Sequence, residues 1–183
     1  MSDFFSEFGL PRKAWLDAEN VKSRHHALMA ELHPDKASGD AERSSLLNDG
    51  RRVLENHASR LRHLTTLIKP TFQPTQKPSP DWDFFSRAGT TTLRSLETAR
   101  KKAEATSPIA KAVLQREATD CLKELKFLDD DLKIRAEHLA SRTRSADDSA
   151  FEPAELWNLA EEWTFLDRCQ KSVQEALTAL RVS

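Results

Sequence analysis

The chain has 183 residues, enough for one domain or two small ones, with 31% charged residues, four Gly and no Tyr. A formal net charge of −1 gives no overall electrostatic case for nucleic acid, and long Ala/Leu/Glu/Lys/Arg-rich runs point to an all-α protein. No run of 18 apolar residues exists, and Met1-Ser2-Asp3-Phe4 lacks the basic and apolar regions of a signal peptide, so a cytoplasmic protein without membrane segments is expected.

Asp3 to Gly9 reads as a short helix carrying Phe4, Phe5 and Phe8, the apolar plug of a small domain, and Gly9 and Pro11 end it. Asp17 is an N-cap for the next helix, in which Val21, His25, Leu28 and Leu32 recur at helical spacing as one buried stripe. The other face shows Lys22, Arg24, His26 and Glu31. Pro34 lacks a backbone donor and disfavours helix in the residue before it, so this helix stops near Leu32. His33 and Asp35 are then held at the tip of a helical hairpin. Asp40 to Asn56 reads as the return helix, with Leu46, Leu47, Gly50, Val53 and Leu54 inward and Arg43, Arg51 and Arg52 outward. A glycine inside a helix costs about 1 kcal/mol relative to Ala, so Gly50 signals close approach of another element. Ala58 to Ile68 forms a shorter closing helix.

Residues 69–80 hold Pro70, Pro74, Pro78 and Pro80, which forbid helix and make a semi-rigid connection. The expected organisation is an N-terminal domain 1–68, a Pro-rich linker 69–80 and a three-helix bundle 81–183 with short, antiparallel connections. The part before the linker's end is slightly basic, with five of the six His, and the rest is slightly acidic. In the bundle, the first helix runs from about Asp81 to Thr106, and Ser107-Pro108 opens the second. The second carries the stripe Leu114, Ala118, Cys121, Leu125, Leu128, Leu132, Leu139. Residues 141–152 read as a polar loop, and Pro153 starts a third helix with Leu156, Leu159, Trp163, Leu166, Val173, Leu177 and Leu180 along one face. Phe165 and Phe84 sit about 100° off these seams. Such aromatics either belong to a wide bundle core or form an exposed apolar patch of the kind that marks a binding surface.

The order short helix, long helix, His-Pro-Asp loop, return helix, closing helix resembles the J-domain, the module by which co-chaperones stimulate DnaK-type chaperone ATPases. The opening Asp3-Phe4-Phe5-Ser6-Glu7-Phe8-Gly9-Leu10-Pro11 looks like that of HscB-type (Jac-type) co-chaperones of iron–sulfur cluster assembly, as does its spacing to His33-Pro34-Asp35-Lys36. Trp163-Thr164-Phe165-Leu166-Asp167-Arg168 resembles a stretch of that family's C-terminal helix, so the resemblance covers both parts of the chain. Asn48, Leu54 and Arg60 also match. His25, Arg51, His57 and His63 depart from it, standing where an aromatic, Tyr, Pro and Tyr are common. The family's client-binding Leu-Met-Glu-Gln-rich stretch on the first bundle helix is not recognisable, and Phe84-Phe85 stand near its place.

The resemblance implies that the chain has no active site, cofactor or metal of its own, and binds neither nucleic acid nor membrane. His33, Pro34 and Asp35 would contact the nucleotide domain and linker of a DnaK/HscA-type chaperone ATPase. Lys22, Arg24, His26 and Lys36 would supply positive potential for orientation and on-rate. The bundle would hold the iron–sulfur cluster scaffold protein through Phe165, with Phe84 and Phe85 behind it. A J-domain protein with the same action and a different client is the nearest alternative. Catalysis by His33 and Asp35 lacks a nucleophile, metal cluster or phosphate loop beside them. His25 and His26 point about 100° apart on a helix and make a poor chelate, and His25 lies on the buried stripe. A purely structural adaptor leaves the loop and its flanks unexplained.

Overall fold

A computed structural model describes residues 2–32, 41–74, 81–148 and 151–182. The loop His33-Pro34-Asp35-Lys36 lies outside the described residues, as do Pro78 and Pro80 of the linker. The described residues form seven α-helices and no strand: α1 Phe4–Glu7, α2 Ala18–Glu31, α3 Ala41–Glu55, α4 His57–Ile68, α5 Trp82–Glu104, α6 Pro108–Ser145 and α7 Pro153–Val182. They divide into two compact units, one of Met1–Lys77 with Leu139–Trp163 and one of Pro78–His138 with Thr164–Ser183.

The first unit is built on its caps. The Asp3 carboxylate accepts from the Phe5 and Ser6 amides and is held by Arg12 at 2.6 Å, and Gly9 takes φ 61° to end α1. Asp17 caps α2 through the Glu19 amide, and Asn56 caps α4 through the Ser59 amide at 2.9 Å. Val21 and His25 of the expected stripe are buried, and Leu28 and Leu32 are half-buried towards the end of α2. Leu47, Leu54, Leu61 and Leu64 complete the core, each worth about 2 kcal/mol of apolar burial. Gly50 admits the α1 plug: a Cβ there would stand 2.7 Å from Phe8 Cε2 and 2.9 Å from Phe4 Cδ1.

Residues 141–152 differ from the expected polar loop. α6 continues to Ser145 and a 3₁₀ turn spans Ala146–Asp148. The polar side chains there are absorbed by tertiary contacts. Thr143 is fully buried, donating to the Leu139 carbonyl and accepting from Trp163 Nε1 at 3.0 Å. The Asp147 carboxylate accepts from the backbone amides of Ala14 at 2.6 Å and Trp15 at 3.2 Å. Arg144 lies over the Trp15 ring at 4.2 Å, and Arg62 of α4 pairs with Glu161 at 2.8 Å. These bonds are why 139–163 pack with the N-terminal helices and not with the rest of 81–183.

At the centre of this unit His57 is sandwiched between Trp15 and Trp163, at 4.8 and 4.2 Å between ring centroids. The neighbouring Arg60, 1% exposed, donates to the carbonyls of Ala14 and Leu54 and to His57 Nδ1. An arginine can only donate, so the imidazole is the Nε2–H tautomer. Burial, then the charges of Arg60 and Arg144, push the His57 pKa down to about 4. Burial lowers that of Arg60 to about 10 against the raising influence of Asp147, which leaves it charged at neutral pH.

In the second unit, α5 and the first thirty residues of α6 run antiparallel. Arg94 pairs with Glu124, Thr98 bonds Glu117 at 3.2 Å, and Arg135 reaches Asp81 at 2.5 Å. Ala118, Cys121, Leu125, Leu128 and Leu132 of α6 and Leu166, Val173, Leu177 and Leu180 of α7 are buried on the expected stripes. No helix among the described residues is long and apolar enough to cross a membrane.

Candidate functional site: a helical hairpin and an apolar bundle face

The hairpin that would present His33-Pro34-Asp35 is α2 against α3. Across it, His25 Nε2 bonds Asn48 Oδ1 at 3.0 Å, and the His25 ring stacks on Phe8 at 6.4 Å. His25 is thus a core residue, and among the described residues its Nδ1 is buried without a partner. Its departure from an aromatic is compensated by a polar bridge between the two arms. His63 acts similarly: Nε2 accepts from the Phe4 amide at 3.2 Å while the ring lies 4.9 and 5.7 Å from Phe4 and Phe5.

Of the basic residues expected to face a chaperone, Lys22 and His26 lie one turn apart on one face of α2. Arg24 is exposed but lies about 160–200° around the helix from them. Lys22 bonds Glu19 at 2.7 Å, which raises its pKa, and it also feels Glu55 and Arg51 of α3. The carrier face is therefore mixed in charge, with His26 exposed beside it.

The three candidate aromatics separate. Phe84 is 3% exposed, with the Arg135 guanidinium 3.9 Å over its ring, so it is core and offers no free surface to a client. It stands on the buried stripe of α5, four residues before Ala88 and eight before Thr92, and so on the seam from which the sequence pattern sets it apart. Phe85 and Phe165 are half-buried and meet at 5.7 Å, one from α5 and one from α7.

Helix α5 also shows what sequence reasoning missed. Beyond Phe84 its buried residues are Ala88, Thr92, Ser95, Thr98 and Ala99, while Leu93 is 70% and Leu96 36% exposed. The hydroxyls of Thr92 and Ser95 donate to the Ala88 and Thr91 carbonyls, which removes the cost of burying them. After Phe84, large apolar side chains thus face out and small ones in, the reverse of an ordinary amphipathic helix. Phe85, Gly89, Leu93 and Leu96 follow at spacings of four, four and three, so the leucines continue the face that Phe85 begins. That spacing was the available signal, masked because the opposite side past Phe84 carries only alanines and hydroxyl residues. Among the described residues no group of three His, Cys, Asp or Glu is placed to hold a metal ion.

An all-α chain with an antiparallel hairpin in its first unit and a long-helix bundle in its second has counterparts of known structure. Chaperone HscB from Vibrio cholerae superposes with a TM-score of 0.63 at 18% identity, covering 95% of this chain and 96% of that one. The human co-chaperone protein HscB gives 0.55 at 20%, covering 96% and 82%. This is the fold of HscB chaperones. A co-chaperone protein HscB homolog of Chromobacterium violaceum is 32% identical over 132 residues, 68% of this chain and 74% of the relative. One of Azoarcus sp. is 34% identical over 73 residues, 36% of this chain and 41% of the relative. No family model matches the chain. The chain belongs to the HscB co-chaperone family.

Proposed function

We propose that this protein is a J-type co-chaperone that stimulates the ATPase of a DnaK/HscA-type chaperone and brings to it the scaffold protein of iron–sulfur cluster assembly, in the cytoplasm. Membership in the HscB family carries the reading. The exposed face of α5 and α7 supports its second half, because outward leucines beside a Phe pair make a binding surface and not a core.

In this reading the chain performs no chemistry of its own. His33, Pro34 and Asp35 engage the chaperone at its nucleotide domain and linker, and Lys36, Lys22 and His26 orient the encounter electrostatically. Arg24, on another side of α2, contributes to the general field only. Phe165 and Phe85 anchor the scaffold protein, with Leu93 and Leu96 extending the apolar contact along α5. The rigid core beneath the hairpin limits the entropy lost when the loop engages.

Steady-state ATP hydrolysis by the chaperone, with and without scaffold protein, tests this. His33→Gln should abolish stimulation, and scaffold protein should enhance it with the wild type. Phe165→Ala should leave stimulation without scaffold unchanged and weaken scaffold binding about thirtyfold, the usual cost of truncating a central aromatic anchor. Stimulation indifferent to scaffold keeps the co-chaperone action and points to another client. No stimulation of any such chaperone refutes the proposal.

A further inference from the structure

α6 carries a second apolar stripe, on the side away from the bundle core. Ala118, Cys121, Leu125, Leu128 and Leu132 face inward. Roughly 140° around the helix from them, Ile109, Val113, Phe127 and Ile134 are 77, 62, 74 and 65% exposed. They belong to an unbroken series. Ile109, Val113, Arg116, Asp120, Lys123, Phe127, Asp130 and Ile134 succeed one another at alternating spacings of four and three, and all are exposed. This is the heptad period of a coiled-coil seam, and nothing among the described residues covers it.

The series is complementary to itself. About a two-fold axis between Cys121 and Leu122, Ile109 of one copy falls level with Ile134 of the other, Arg116 with Phe127, and Asp120 with Lys123. Val113 falls between the levels of Ile134 and Phe127. The pairs are an aliphatic contact, a guanidinium over a ring and a salt bridge, each made twice. Asp120 and Lys123 touch each other within the chain at 3.2 Å, but both are more than half exposed and free to exchange partners. Asp130, level with Val113, is held in its own chain by Lys133 at 3.0 Å. A parallel pairing would set Arg116, Asp120 and Lys123 each against its own like charge, which excludes it. We propose that two copies of this chain associate through an antiparallel α6–α6 seam centred between Asp120 and Lys123. The seam is separate from the Phe85–Phe165 face, so the dimer leaves that face open. With half its positions charged, the seam is a weak one, populated at tens of micromolar.

Sedimentation velocity of the full chain from about 5 to 200 µM reads this out. The wild type should rise from the mass of one chain, 20.8 kDa, towards twice that. Phe127→Asp should stay monomeric throughout, as should Lys123→Glu, which faces Asp120 with another carboxylate. Asp120→Lys combined with Lys123→Glu should restore the dimer, and this pair decides the matter even where Phe127→Asp disturbs the helix. Circular dichroism of each variant verifies folding. Under mild oxidation Lys123→Cys should cross-link above the wild-type background. Ile109→Cys should not, because its counterpart lies roughly 37 Å away in this register. A wild type that remains monomeric at 200 µM overturns the proposal. So does a double variant no better than the single, or a dimer that survives Phe127→Asp and is lost in Phe165→Ala.

Discussion

Two of the chain's glycines lie inside long helices, and the same substitution at each should change stability in opposite directions. Replacing a mid-helix glycine by alanine gains about 1 kcal/mol in propensity and unfolded-state entropy when the new methyl has room. At Gly89 nothing lies within 4 Å of the added carbon, so Gly89→Ala should stabilise by about 0.5–1 kcal/mol. At Gly50 the methyl would overlap Phe8 Cε2 at 2.7 Å and Phe4 Cδ1 at 2.9 Å. Neither ring is a loose end. Phe8 is 2% exposed and stacked on His25, and Phe4 lies against His63. Moving α1 to make room costs about 1–3 kcal/mol as overpacking, which exceeds the propensity gain. Gly50→Ala should therefore lose about 1–2 kcal/mol, a fall in Tm of roughly 3–6 °C. Thermal and urea unfolding followed by tryptophan fluorescence reads mainly the unit that contains Gly50, because three of the four tryptophans, Trp15, Trp157 and Trp163, belong to it and Trp82 alone to the other. Circular dichroism at 222 nm reads both units. A Gly50→Ala protein as stable as the wild type, beside a stabilised Gly89→Ala, would refute the argument that α1 is seated by the missing side chain.

Two further substitutions probe the joint around His57. Arg60→Lys keeps the charge but has no planar fork, so it cannot serve the Ala14 and Leu54 carbonyls and His57 Nδ1 together; a loss of about 2–4 kcal/mol in urea unfolding is expected, and wild-type stability would contradict the bonding described. Because the folded pKa of His57 is pushed down to about 4, the unfolded chain takes up this proton first as the pH falls. Its contribution is thus fully present above about pH 6.5 and is lost towards pH 4, and solvent screening of a half-buried ring reduces the loss to about 1–2 kcal/mol. The drop in unfolding free energy between pH 7 and 4.5 should be smaller by that amount in His57→Gln, and equal drops would show that His57 does not titrate in this way.

The elements of the first 68 residues were legible because their signals are local. Asp3 and Asp17 act as caps through their own neighbours, Gly9 turns because it lacks a Cβ, and Val21 with His25 marks the inner face of α2 by period alone. Gly50 announced a close approach, and the approach is that of the α1 rings. The bundle stripes of α6 and α7 were legible for the same reason. The outward leucines of α5 were not. A hydrophobic pattern assigns its largest residues to the core, and Leu93 and Leu96 obey the reverse rule because Thr92, Ser95 and Thr98 satisfy their hydroxyls within the bundle. The same limit made Phe84 look available, when Arg135 covers its ring.

By itself, then, the sequence determined the all-α class, the helix ends of the hairpin, and the family resemblance, since each rests on residues within a turn or two of one another or on a motif read in line. Only the tertiary structure decided where 139–163 belong. Asp147, Arg144, Thr143 and Trp163 are polar or aromatic residues on stretches that read as loop and bundle. Their partners, the Ala14 amide, Trp15 and His57, lie more than a hundred residues away or across a helix pair, and no local rule connects them. Burial of such groups is favourable only when the distant partner arrives, so the packing that joins them is a property of the folded chain.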